Sequence, residues 1–183
     1  MQYPIIKYSV IRSRLQTKND CAIFAMCRYF EQLARLQGYD IHIDPVELES
    51  HFIAAGIKKD DEGTPMATAL SFLRTNKINI GGFRVKRWGY LPKCLKSLRL
   101  TLARTTFMFA IKTWTSSSKR IKRGYMENKH TRTSPGRHAV LSLGWDGEGI
   151  RTQDSNYDYQ YTIRPDKFFE DLRAIYNVTL IRC

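Results

Sequence analysis

The stretch Asn19-Asp20-Cys21-Ala22-Ile23-Phe24-Ala25-Met26-Cys27-Arg28-Tyr29-Phe30-Glu31-Gln32-Leu33-Ala34-Arg35-Leu36-Gln37-Gly38 decides what kind of fold this chain can adopt. Within it Ile23, Met26, Cys27, Phe30, Leu33 and Ala34 recur at i, i+3, i+4, i+7, the spacing that lines one face of an α-helix. The spacing predicts a helix from about Cys21 to Gln37, opened behind Asn19-Asp20 and closed at Gly38. An apolar stripe of that length needs a partner layer. Working outward, Pro45 opens a second helix through Val46, Leu48 and Phe52 to Gly56, with Asp44 as its N-cap. A third runs from about Pro65 to Thr75 and buries Met66, Ala69, Leu70 and Leu73. Leu91, Leu95, Leu98 and Leu102 form a fourth, with Lys93, Lys96 and Arg99 at threefold spacing along another face.

After Thr105 the period changes from helical to alternating. Thr106 to Trp114, His138 to Trp145, Gly149 to Gln153 and Tyr159 to Ile163 read as strands, with a turn centred on Gly147 between the second and third. Phe168 to Leu172 reads as a short helix and Val178 to Ile181 as a closing strand. Thr115 to Gly136 is a long polar connection, and loops of that length are usually functional or mobile. Helices first and strands later is the order of an α+β domain. The expectation is one domain over 1–183, with a helical half at about 16–104, a sheet half at about 105–183 and a basic loop at about 115–137; 183 residues suit a single core.

Composition removes several classes. With 43% hydrophobic and 12% aromatic residues the chain can bury a core, so a disordered basic tail is excluded. Met1 to Ser13 carries Lys7 and Arg12 and does not read as a secretory signal. No apolar run approaches the roughly 18–20 residues of a membrane span. Cys21, Cys27, Cys94 and Cys183 include no Cys-x-x-Cys pair, so neither a disulfide framework nor a zinc site is indicated. The expectation is a cytoplasmic protein without a membrane partner. The formal charge of +13 is concentrated: Arg84 to Arg137 holds fifteen Lys or Arg against one acid, Glu127, a local +14. The other 129 residues carry 15 basic and 16 acidic side chains, a sum of −1. Two readings of the segment stand, a solvated basic surface and a docking surface for an acidic partner.

Candidate chemistry gathers around Cys21. In the first turn of a helix, unpaired backbone N–H groups and the helix dipole favour a thiolate, whereas Cys27 belongs to the apolar stripe. Gln16, five residues earlier, is close enough for its amide to donate to an oxyanion beside the thiol. His138 stands at the start of a strand, and Asp154 follows the next strand, so a short turn would bring the two level. A carboxylate there holds the imidazole by its second nitrogen and favours a thiolate–imidazolium pair. Asn156 is a neighbouring alternative to Asp154. Asp20 would raise the thiol pKa if its carboxylate faced inward, but not as an N-cap turned to the backbone.

Gln16 followed by Cys21-Ala22-Ile23-Phe24-Ala25 resembles the Gln…Cys-x-x-Phe head of the central helix in papain-like cysteine peptidases. His138-Ala139-Val140 through Gly144-Trp145 is similar to that family's His-Ala-Val…Gly-Tyr strand, and Gln153-Asp154-Ser155-Asn156 falls where it has Lys-Asn-Ser-Trp. Glu62-Gly63-Thr64-Pro65-Met66 is similar to the Gly-rich turn and helix lining the substrate cleft. The resemblance spans about Gln16 to Ile163. It implies a helical half packed on an antiparallel sheet or barrel half, with the active site in the cleft between them. By it Cys21 would be the nucleophile, His138 the general base and acid, Gln16 an oxyanion donor with the Cys21 N–H, and Gly63 a backbone contact for extended substrate. The departures are an Asp at 154 where Asn is usual, as in Cys-His-Asp variants, and a Gln-to-Cys gap one residue shorter than in papain. The cysteine before the nucleophile is missing, and with only about twenty residues before Cys21 the expectation is that there is no propeptide.

The expected activity is peptide-bond hydrolysis through a Cys acyl-enzyme, on a protein or peptide substrate and with neither metal nor organic cofactor. Acyl transfer or deamidation by the same thioester is an alternative. Another is a binding module in which Arg84 to Arg137, interleaved with Trp88, Tyr90, Trp114 and Tyr125, grips nucleic acid or another polyanion.

Overall fold

A computed structural model describes residues 20–59, 62–102, 105–113, 119–122, 125–128, 136–155 and 160–183. Helix α1 (Cys21–Leu36) takes the whole predicted stripe into the core, together with Ala22, Ala25 and Tyr29. It ends where the sequence said it would, because Gly38 adopts φ 85° and two backbone bonds close the turn, Gly38 N–H to the Arg35 carbonyl and Tyr39 N–H to that of Ala34. Helix α2 (Pro45–Ala54) is capped by Asp44, whose carboxylate accepts from the Val46 N–H at 3.0 Å, and it closes with the same kind of turn at Gly56. Helix α3 (Met66–Thr75) buries the four residues its spacing predicts, Met66, Ala69, Leu70 and Leu73.

Among the described residues eight strands make one sheet, in the order β1-β8-β2-β5-β6-β7-β4-β3. They are β1 (Phe83–Tyr90), β2 (Phe107–Thr113), β3 (Lys119–Lys122), β4 (Tyr125–Asn128), β5 (Gly136–Trp145), β6 (Ile150–Gln153), β7 (Tyr161–Ile163) and β8 (Leu172–Arg182). Every pairing is antiparallel except the short contact of β4 with β7. Two short helices, α4 (Leu95–Leu102) and α5 (Pro165–Asp171), complete the elements of the described residues.

The central strands are apolar on both faces, which the alternation makes visible. Met108 and Ala110 of β2, Ala139, Leu141 and Leu143 of β5, and Val178 and Leu180 of β8 pack with α1, α2 and α3 in one core. Phe107, Phe109 and Ile111, Val140 and Trp145, and Leu172 and Ile175 turn the other way, into a second core with Leu98 of α4, Phe168 of α5, and Tyr161 and Ile163 of β7. The helical and sheet portions of the predicted α+β fold are therefore both present, with α1 lying against β5.

Several expectations need correction. Strand β1 was not foreseen; it lies inside the stretch read as the helical half and joins the sheet edge beside β8. The connection read as polar loop contains the β3–β4 pair. Helix α4 starts at Leu95 and not at Leu91, α5 starts at Pro165 and ends at Asp171, and β8 begins six residues before the predicted Val178. The Gly147 turn is as expected, with φ 97° at Gly147 and the Asp146 carboxylate accepting from the N–H groups of Glu148 and Gly149. Gly149 has a packing reason as well: a Cβ there would stand 2.3 Å from the Ile163 carbonyl oxygen of β7.

Candidate active site

Cys21 is the first residue of α1, half-buried at the border of the first core. In that turn the leading N–H groups have no carbonyl four residues back to bond to, so the helix presents donors and a partial positive charge beside the sulfur. His138 lies on β5, paired across the sheet with Ile111, and is 3% exposed. Its Nε2 is 2.6 Å from Asp154 Oδ1, and Asp154 is fully buried. With Nε2 held by the carboxylate, Nδ1 is the ring nitrogen left for the hydrogen bond between His138 and the Cys21 thiol.

Asp154 is not level with His138. The β5–β6 register pairs Leu141 with Gln153, so Asp154 leaves β6 two positions short of the residue directly opposite His138. The two meet on the diagonal, a reach that a carboxylate and an imidazole can span from one face of a sheet. A second contact, which the sequence reading missed, fixes the carboxylate: the Tyr161 hydroxyl of β7 donates to Asp154 Oδ2 at 2.8 Å. Tyr161 is 1% exposed and pairs with Thr152 in β6, two residues before Asp154.

The electrostatics are those of a coupled pair. Burial pushes the Cys21 thiol up, but the hydrogen bond to His138, the imidazolium charge and the Ala139 backbone together pull it below its ordinary value, against a smaller opposing effect of Asp154. For His138, burial pulls downward and is outweighed by the hydrogen bonds to Asp154 and Cys21 and by their charges, which hold it up at about 9. The two shifts run in opposite directions, the thiol downward and the imidazole upward, and both favour a thiolate beside an imidazolium. Cys27, by contrast, is pushed far upward by burial and behaves as a core residue.

The other predicted site residues stand as follows. Gln16 and Asn156 lie outside the described residues, so of the two readings of the third position Asp154 is the one seen to touch the imidazole. Gly63 is exposed, just before α3, and a Cβ there would meet nothing within 4 Å. Packing does not require a glycine at that position. Asp20 occupies the N-cap position of α1, but its side chain makes no capping bond and is paired instead with Lys58, Nζ to Oδ1 3.2 Å. Among the described residues no group of three or more His, Cys, Asp or Glu side chains is placed to hold a metal ion, and no helix is long and apolar enough to cross a membrane.

Against solved structures the chain superposes over nearly its whole length on xylellain, a cysteine protease from Xylella fastidiosa. The TM-score is 0.75 at 12% identity, over 96% of this chain and 85% of that one. The Carica candamarcensis cysteine protease CMS1MS2, solved in complex with E-64, matches with a TM-score of 0.67 at 15% identity over 93% of each chain. The chain has a papain-like fold. A proCathepsin B from Trypanosoma congolense shares that fold with a TM-score of 0.71 at 12% identity, over 93% of this chain and 73% of its own. No family model matches the sequence. Nor does any curated protein. In this chain α1 packs against β5, and Cys21 at its head meets His138 there.

Proposed function

We propose that this chain is a thiol-dependent peptidase that hydrolyses peptide bonds through an acyl-enzyme on Cys21. The observation that carries the reading is one constellation: a thiol at the head of α1, hydrogen-bonded to a buried imidazole whose other nitrogen is 2.6 Å from a buried carboxylate. In the proposed sequence the Cys21 thiolate attacks the scissile carbonyl carbon and the carbonyl becomes an oxyanion. The Cys21 N–H and the Gln16 amide hold that oxyanion. The His138 imidazolium gives its proton to the departing amine, leaving a thioester. His138 then takes a proton from water, which attacks the thioester, and the thiolate is restored when the acid product leaves. Asp154 keeps the ring oriented throughout and stabilises its charged form. Gly63, open above its Cα, suits the close approach of an extended substrate backbone.

The test is cleavage of a mixed peptide pool, read by mass spectrometry, with the unaltered protein and with Cys21→Ala. New termini that appear with the first and not with the second support peptidase action. Peptides joined to an added amine in place of free acids would point to acyl transfer, and Gln-to-Glu conversion without cleavage to deamidation. Intact peptides with both proteins would end the enzymatic reading.

A second reading concerns partners. Lys86, Arg87, Lys93 and Lys96 are exposed on β1 and before or along α4, with no acid in that part of the chain, beside Tyr90 at 60% exposure. Arg99 is engaged elsewhere, its guanidinium 4.5 Å from the Trp145 ring centre. We propose that this surface adds affinity for nucleic acid, which at several phosphate contacts would fall steeply with salt. Retention on a DNA column at low salt and release at moderate salt is the expected result; no retention at low salt excludes it.

A further inference from the structure

Behind the head of α1 sits a buried cation that the proposed chemistry does not use. Lys58 follows the turn that ends α2, where Gly56 N–H bonds to the Ile53 carbonyl and the N–H groups of Ile57 and Lys58 both reach the carbonyl of Phe52, turning the chain inward. The Lys58 side chain is 2% exposed. Its Nζ lies 3.2 Å from Asp20 Oδ1 and 3.1 Å from Glu49 Oε1, and it donates to the Glu62 carbonyl at 3.3 Å. Three acceptor oxygens surround the ammonium, the Glu62 carbonyl by a hydrogen bond and the carboxylates of Asp20 and Glu49 at ion-pair distance. Lysine is almost never fully buried unless paired, so the site specifies its charge.

What the three acceptors belong to gives the arrangement its meaning. Asp20 immediately precedes Cys21, Glu62 immediately precedes Gly63, and Glu49 is on α2. We propose that Lys58 is a positioning residue that ties the Gly63 segment to the head of α1 and neutralises the Asp20 carboxylate next to the thiolate. The inference rests on the thiol-peptidase reading and deepens it. The groups facing Cys21 from the sheet are His138 and, beyond it, Asp154; those facing Lys58 are Asp20 and Glu49. Burial disfavours the ammonium, but its bonds and charge pairing with Glu49 and Asp20 outweigh that and hold its pKa up, so it stays charged wherever the thiolate forms. An unscreened carboxylate at residue 20 would oppose a negative sulfur at residue 21.

The two partners of the pair make opposite predictions. Replacing the ammonium, as in Lys58→Met, leaves Asp20 uncompensated and raises the midpoint at which Cys21 becomes reactive. Replacing the carboxylate, as in Asp20→Asn, leaves the Lys58 charge acting more strongly on the thiolate and lowers that midpoint. The measurement is the rate of iodoacetamide labelling of the Cys21 peptide against pH, with Lys58→Arg and the Lys58→Met/Asp20→Asn double variant alongside. Shifts of about one pH unit in opposite directions are expected, which is about tenfold in rate at a fixed pH below the midpoint. The double and Arg variants should return close to the unaltered protein. General loosening of the site would move both single variants the same way, and that result, or no movement in either, overturns the proposal. Should Lys58→Met fail to fold by near-ultraviolet circular dichroism, Asp20→Asn decides alone: a lowered midpoint supports the proposal and an unchanged or raised one overturns it. The midpoint of the unaltered protein reports on the peptidase reading, and the differences between variants report on Lys58, so either can fail without the other.

Discussion

Asp154 offers one oxygen to His138 and the other to Tyr161, so the orientation of the imidazole depends on a tyrosine one strand further out. Tyr161→Phe keeps the ring in the second core and removes one hydrogen bond to a charged group, a change of about 1.5–3 kcal/mol in stability. Urea unfolding should show that loss, and cleavage of peptides should slow as the carboxylate loses a fixed position; unchanged stability would mean the bond contributes nothing. At this scale the sequence was legible where chemistry shows in residue type and order. Cys21, His138 and Asp154 could be picked out because a thiol at a helix head and an imidazole and carboxylate on successive strands are informative by themselves. Tyr161 and Lys58 could not. An aromatic in a strand and a lysine after a glycine turn look ordinary until the backbone brings Tyr161 to Asp154 and Lys58 to Asp20.

Among the elements, the helices followed their periodicity and the strands did so unevenly. Helices α1, α2 and α3 have one apolar face each, and their ends carry local signals that act without tertiary help: Gly38, Gly56 and the Asp44-Pro45 start. Strand β1 was hidden because its alternation breaks at a register shift between Val85 and Arg87, which puts two charged residues in succession. Strand β8 was cut short because Leu172, Ile175 and Tyr176 serve different cores, and inward residues on both faces erase the simple alternation. One helix end departs from its neighbours. Helix α3 closes through Lys77 at φ 51°, where Ile78 N–H bonds to the Leu73 carbonyl and no glycine relieves the left-handed conformation. Lys77→Gly should therefore stabilise the protein by about 1 kcal/mol, seen as a higher Tm. A lower Tm would show that the unfolded chain's added freedom outweighs the relief.

Across the whole molecule, the papain-like arrangement comes from one sheet that is covered on both faces. Helix α1 lies on one face and aims its head at β5, while the second core fixes β6 and β7, and with them Asp154 and Tyr161, on the far side of His138. The site joins the layers: a thiol from the helical side, an imidazole from the sheet, and a carboxylate anchored by the second core. The central claim is that this meeting makes Cys21 a thiolate by pairing it with an imidazolium. Because His138 is held up at about 9 and the Cys21 thiol is held below its ordinary value, the reactive pair should exist in the window between the lowered thiol pKa and about 9. Peptide cleavage should fall on the alkaline side as His138 loses its proton, and on the acid side as the thiolate gains one. The most direct measurement is the rate of iodoacetamide labelling at the Cys21 peptide across pH 5 to 10, in the unaltered protein and in His138→Ala. The midpoint should lie below that of an ordinary thiol in the former, and at or above the ordinary value in the variant, where burial acts unopposed by the imidazole. Equal midpoints in the two proteins would contradict it.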